Sequence, residues 1–92
     1  LFRSLLGERL RKQRLILEMS QADVAARAGV GVNTVSNLEA GRNVSVENLV
    51  RIAMVLGRLH ELQELFQPQL NSVNDILRYE SQSKRHRIKR KG

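Results

Sequence analysis

Apolar positions recur along this chain at three- and four-residue spacing, with charged and polar residues between them. No stretch alternates with a period of two over strand length, so the pattern predicts helices and no sheet. Leu6, Leu10, Arg14 and Leu17 fall on one stripe of a helix over 4–18. Val24, Ala25 and Ala28 form the inward face of a second helix over 21–28, where small alanines allow a neighbouring helix to come close. Val35 and Leu38 serve a third helix over 32–40, and Leu49, Ile52, Ala53 and Leu56 a fourth over 46–56. Leu59, Leu62, Leu65 and Phe66 mark a short fifth helix and read as core, before Pro68 breaks the pattern. A weakly apolar helix over 72–83, carrying Ile76, Leu77 and Tyr79, follows the start signal Ser72-Val73-Asn74-Asp75.

The punctuation between these faces is specific. Ser20 suits the N-cap of the second helix, because its hydroxyl can accept a free backbone N–H of the first turn. Asp23, three residues on, suits a capping box and the positive helix end. Gly29 then ends the helix at a backbone angle where a side chain would clash. Val30 plugs the turn, Gly41 stops the third helix, Ser45 caps the fourth and Gly57 terminates it. Residues 20–42 therefore read as two short helices joined by a tight turn. That is the layout of a helix-turn-helix, a unit that holds one helix at an angle suited to the DNA major groove.

Length and charge narrow the picture. Ninety-two residues make one domain with a modest core. The absence of cysteine excludes a disulfide framework and thiolate chemistry, and fits a reducing cytoplasm, the expected location. No apolar run approaches the roughly 18 residues of a membrane span, and no signal-peptide pattern opens the chain. The net charge of +7 is uneven: residues 1–66 carry nine Lys/Arg against seven Asp/Glu, and residues 67–92 carry seven against two. The chain thus divides into a domain over 1–66 and a basic extension over 67–92, in which 84–92 is a like-charge block expected to be disordered. Lys84, Arg85, Arg87, Lys89, Arg90 and Lys91 are its candidate contacts to nucleic acid or a protein partner, since such an excess favours polyanions. His60 and His86 have no metal-ligand spacing, and no phosphate-binding glycine loop or nucleophile motif is present. No metal, cofactor or catalytic activity is expected.

The run Leu6-Gly7-Glu8-Arg9-Leu10-Arg11-Lys12-Gln13-Arg14, the segment from Ser20-Gln21 to Gly41, and the run Asn48-Leu49-Val50-Arg51-Ile52-Ala53-Met54-Val55-Leu56-Gly57 carry a resemblance. Together they resemble the Cro/C1-repressor (XRE) helix-turn-helix family. The resemblance implies an all-α, five-helix repressor-like domain with the basic extension appended. It also implies roles, position by position. Gln21, beside Ser20, matches a residue that binds a phosphate, which the free N–H groups and dipole of a helix N-terminus favour independently. Val32, Asn33 and Asn37 match positions that face base edges, with Thr34 and Ser36 nearby. Asn can bond bidentately to adenine and Val can touch a thymine methyl, so A·T content is expected under this helix. Arg42 and Asn43 match contacts to the DNA backbone, and Arg14 and Glu39 match an ion pair between the first and third helices. Three positions depart from the pattern: Glu18 stands where glycine is common, Gly31 where Ser or Thr often caps, and Val32 where a polar reader is common.

The function implied is a sequence-specific DNA-binding regulator. It is expected to be a repressor acting as a homodimer on a palindromic operator, with its dimer surface on the fifth helix and the 70–83 segment. Short members with an appended tail also resemble HipB-type antitoxins, which repress their own operon and bind a HipA-like kinase toxin. The competing expectation is a protein-interaction module that keeps the fold and touches nucleic acid only through its tail. Its motive is the scarcity of basic charge near the recognition helix beyond Arg27 and Arg42.

Overall fold

A computed structural model describes residues 1–69 and 73–91, with side chains described as far as residue 83. The described residues are helical, with no strand among them: α1 (Phe2–Ile16), α2 (Gln21–Ala28), α3 (Val32–Glu39), α4 (Val46–Val55), α5 (Leu59–Gln63) and α6 (Val73–Lys91).

The core lies where α2, α3 and α4 meet beneath α1. Val24, Ala25, Ala28, Val35, Leu38, Ile52, Ala53 and Leu56 are buried, as their spacing predicts. Leu6, Leu10, Met19, Val30, Val44, Leu49 and Val55 are partly buried and close its edges. Fully burying a side chain such as Ile52 or Val24 contributes about 1.5–3 kcal/mol, so a core this small depends on each of them. Gly7 sets how close α1 comes. A Cβ there would lie 2.2 Å from the Leu38 carbonyl oxygen and 2.8 Å from that of Glu39, so only glycine lets α1 rest on the end of α3.

The local signals act as expected around α2. Ser20 Oγ accepts the Asp23 N–H at 3.0 Å, and Asp23 Oδ2 accepts the Ser20 N–H at 3.0 Å, which completes the capping box. Gly29 closes α2 at φ 70°, and the Val30 N–H reaches back to the Ala25 carbonyl at 3.0 Å. Gly31 then caps α3 in extended backbone, with no side-chain bond.

Several expectations need correction. First, α1 starts at Phe2 and stops at Ile16, so Leu17 caps it and is exposed instead of completing the stripe. The stop is made by Glu18 at φ 56°, where Glu18 N–H bonds to Leu15 and Met19 N–H to Arg14. A glutamate thus occupies a left-handed position that favours glycine. The fifth helix does not supply core along its whole stripe either. Leu59 and Leu62 are half-buried, but Leu65 is exposed and Phe66 is 95 % exposed. The helix ends at Gln63 and Phe66 sits at φ 56°, so the last two apolar residues leave the helical register. Leu62 and Leu65, with Leu6, Leu10, Leu49 and Ala53, line an open groove of about 270 Å³ between α1, α4 and α5. Finally, α6 does not end at 83 with a disordered run after it; its backbone stays helical through Lys91. Nothing between Val73 and Lys91 breaks a helix, Lys and Arg are good helix formers, and cations suit the negative C-terminal end of the helix dipole.

Candidate nucleic-acid interface

The start of α2 reaches the C-terminal end of α3, where the Gln21 amide donates to Glu39. By helical spacing Val32, Asn33, Ser36 and Asn37 share a face opposite the buried Val35 and Leu38. Val32 and Asn33 are exposed, and Ser36 and Asn37 half-buried. Thr34 is half-buried on the flank of the helix, nearer the core side. The Asn33 side chain bonds to no other group among the described residues. Asn37 differs, since its Oδ1 accepts a hydrogen bond from Arg42 Nη1 at 3.2 Å. Arg42 and Asn43 are exposed in the segment that leaves α3.

At the start of α2, helix geometry leaves the N–H groups of Gln21 and Ala22 without intrahelical acceptors. The Asp23 N–H is already taken by Ser20 Oγ, whose own hydroxyl proton remains able to donate. Asp23 is occupied as well, because the Ser20 backbone N–H holds its carboxyl below the usual carboxylate range. The anion-attracting end of α2 is therefore presented by Gln21, Ala22 and the Ser20 hydroxyl.

Beneath this surface lies a buried three-residue network. Arg14 donates to Glu39 through Nε at 2.7 Å and Nη2 at 3.0 Å, and through Nη1 to the Met19 carbonyl at 2.8 Å. The side chains of Arg14 and Glu39 are 9 % and 7 % exposed. Gln21 Nε2 also donates to Glu39, at 3.1 Å. Burial by itself would push the Glu39 carboxyl up. Hydrogen bonds from Arg14 and Gln21, with the charges of Arg14 and Arg11, outweigh burial and hold it below the usual range. The network ties α1, the α2 entry and α3 together, and it leaves Gln21 one amide N–H and its oxygen for an outside group.

The family resemblance implies the Arg14–Glu39 pair but not its third member, Gln21, which bonds to Glu39 from eighteen residues away. It also passes over Gly7 as a contact residue. A glycine on the inward stripe of α1, seven residues before Arg14, is the signal that could have found it. The side chains of Lys84, Arg85, Arg87, Lys89, Arg90 and Lys91 lie outside the described residues. Among the described residues no group of three or more His, Cys, Asp or Glu is placed to hold a metal ion, and no helix is long and apolar enough to cross a membrane.

Residues 10–62 match the model of a protein family described as Helix-turn-helix. The match starts within α1, contains α2, α3 and α4 whole, and ends in α5.

Proposed function

This chain belongs to the helix-turn-helix family of DNA-binding transcription regulators, a family not typically enzymatic, and from that premise we propose that it is a cytoplasmic, sequence-specific repressor binding a palindromic operator as a homodimer. The observation that carries the reading is the outward face of α3, which exposes Val32 and the unengaged Asn33 carboxamide at its start and is joined at its end, through Glu39, to Gln21 at the N-terminus of α2. Gln21, the Ser20 hydroxyl and the first N–H groups of α2 grip one phosphate. Arg42 and Asn43 hold the backbone on the far side of α3. Between these anchors Val32, Asn33, Ser36 and Asn37 face base edges, with Thr34 on the flank, and each good bidentate base contact gives about 1–3 kcal/mol of discrimination. Phosphate contacts fix the register and base contacts specify the sequence.

One recognition helix reads too few base pairs for useful specificity, which is the argument for a two-fold dimer. Its surface comprises α5 and the 70–83 segment, of which 73–83 is described. Val73, Ile76 and Leu77 share one face of α6 and are exposed, as is the apolar groove beside α5. A second copy that places this face in that groove covers both. Occupying a promoter then blocks polymerase. A narrower role as an antitoxin that binds a HipA-like kinase toxin rests on the same uncovered face of α6, and co-purification with the product of the neighbouring gene decides it.

Selection of bound duplexes from a randomised pool tests the proposal. The expected product is an A·T-containing inverted repeat with half-sites about 10 bp apart, centre to centre. Asn33→Ala should relax preference at one position of each half-site, whereas Gln21→Ala should weaken every duplex alike and leave the salt dependence unchanged, because a neutral amide displaces no counterion. Enrichment of no motif, with all binding lost on deleting 84–92, would leave the domain as an interaction module anchored by its tail.

A further inference from the structure

We propose that Arg42 determines sequence specificity by setting the orientation of the Asn37 carboxamide, and is not only a phosphate contact. The inference rests on the reading of α3 as the base-reading helix and deepens it.

The end of α3 brings the two residues together. Gly41 takes φ 77°, its N–H bonds to the Leu38 carbonyl at 3.1 Å, and the Arg42 N–H bonds to the Asn37 carbonyl at 2.8 Å. These two bonds define a Schellman motif, in which the residue two past the cap returns over the third-last residue of the helix. An apolar contact commonly fills that position. Here the pair is Arg42 and Asn37, linked a second time by the side-chain bond at 3.2 Å. The turn is backed by α1, since a Cβ on Gly41 would lie 2.9 Å from Ser4 Oγ and 3.0 Å from Ser4 Cα. The backbone of Arg42 is therefore held over Asn37 by packing from behind as well as by the helix end.

Chemistry then fixes the amide. A guanidinium has donors and no acceptor, so Asn37 must turn its oxygen, not its nitrogen, to Arg42. The amide nitrogen, with its two N–H groups, is left for the DNA. The Oδ1 that would accept from adenine N6 in a bidentate pair is turned toward Arg42, with one of its two lone pairs taken. Asn37 therefore meets the groove as a donor. It favours base edges rich in acceptors, the N7 and O6 of guanine or the O4 of thymine, over the N4 amino group of cytosine. Freed from Arg42, the same carboxamide can turn and pair with adenine through both atoms.

A thermodynamic cycle on the selected operator tests this. Binding of the parent, Arg42→Ala, Asn37→Ala and the double variant is measured by anisotropy against duplexes carrying each of the four base pairs at every half-site position. Asn37→Ala locates the position that Asn37 reads. At that position Arg42→Ala should raise the preference for adenine over the parent's preferred base by about fivefold or more, the low end of what one base contact provides. In the Asn37→Ala background the same change should weaken all four duplexes equally. Uniform weakening by Arg42→Ala in both backgrounds would overturn the proposal and leave Arg42 a phosphate contact. Absence of any base preference in the parent protein would instead overturn the reading of α3 itself, and this inference with it. Arg42 is exposed, so Arg42→Ala is expected to melt with the parent by circular dichroism.

Discussion

Replacing Arg14 by Met should strongly destabilise the domain. Arg14 provides two of the three hydrogen bonds that the Glu39 carboxylate receives, at 2.7 and 3.0 Å, and Gln21 provides the third at 3.1 Å. It also satisfies the Met19 carbonyl at 2.8 Å. With the guanidinium gone, a carboxylate that is 7 % exposed keeps one neutral donor. Removing one partner of a buried ion pair costs about 3–5 kcal/mol. A domain this size is stable by only about 5–15 kcal/mol in all. The melting temperature should fall by at least about 12 °C, at about 4–8 °C per kcal/mol. Urea denaturation followed by far-UV circular dichroism reads the loss. The double variant Arg14→Met/Glu39→Leu should recover most of it, because an apolar pair of similar volume often matches a buried ion pair. The single variant's deficit should also shrink as pH drops from neutral to about 5, since burial now dominates at Glu39 and protonation relieves it. A cost below about 1 kcal/mol, or a double variant less stable than the single one, would mean that Glu39 is not left as an uncompensated buried charge.

Glu18→Gly should stabilise the domain by about 0.5–1 kcal/mol, because it removes a side chain from the left-handed backbone at φ 56°; differential scanning calorimetry checks the direction. Gly7→Ala should cost about 3 kcal/mol or more, as its Cβ would meet the Leu38 carbonyl oxygen at 2.2 Å and push α1 off α3, which urea midpoints will show. Glu39 and Asp23 both titrate below their ordinary values in the fold. Their contribution is therefore fully present above the unfolded carboxylate values of about 4 and is lost as pH falls through the lower folded ones. Stability measured against pH should hold above about pH 5 and decline below about pH 4, and Glu39→Gln should remove part of that acid dependence.

The elements that carry the site were the most legible in the chain. Ser20, Asp23, Gly29 and Gly41 each act on backbone within a few residues of themselves, so α2, α3 and α4 fall within a residue of the predicted bounds. Spacing was less informative where an element has to stop. Periodicity carries the apolar stripe past Gln63 to Leu65 and Phe66, but nothing in it marks the positive φ at Phe66 that takes them out of register. At α6 two local tendencies compete: a run of like charges argues against order, while helix propensity and the dipole favour continuation to Lys91. Long-range partners were the hardest to see. That Gln21 bonds to the same carboxylate as Arg14, and that Gly7 touches the end of α3, follow from packing between helices and not from any local signal.

We propose that the outward face of α3, together with the start of α2, is the surface that meets DNA. Backbone amide shifts followed by NMR while the selected duplex is added test it most directly. The largest changes should fall at Ser20–Ala22, along Val32–Asn37 and at Arg42 and Asn43, with α5 shifting little. Changes confined to α5 and α6, with the α3 amides unmoved, would contradict it.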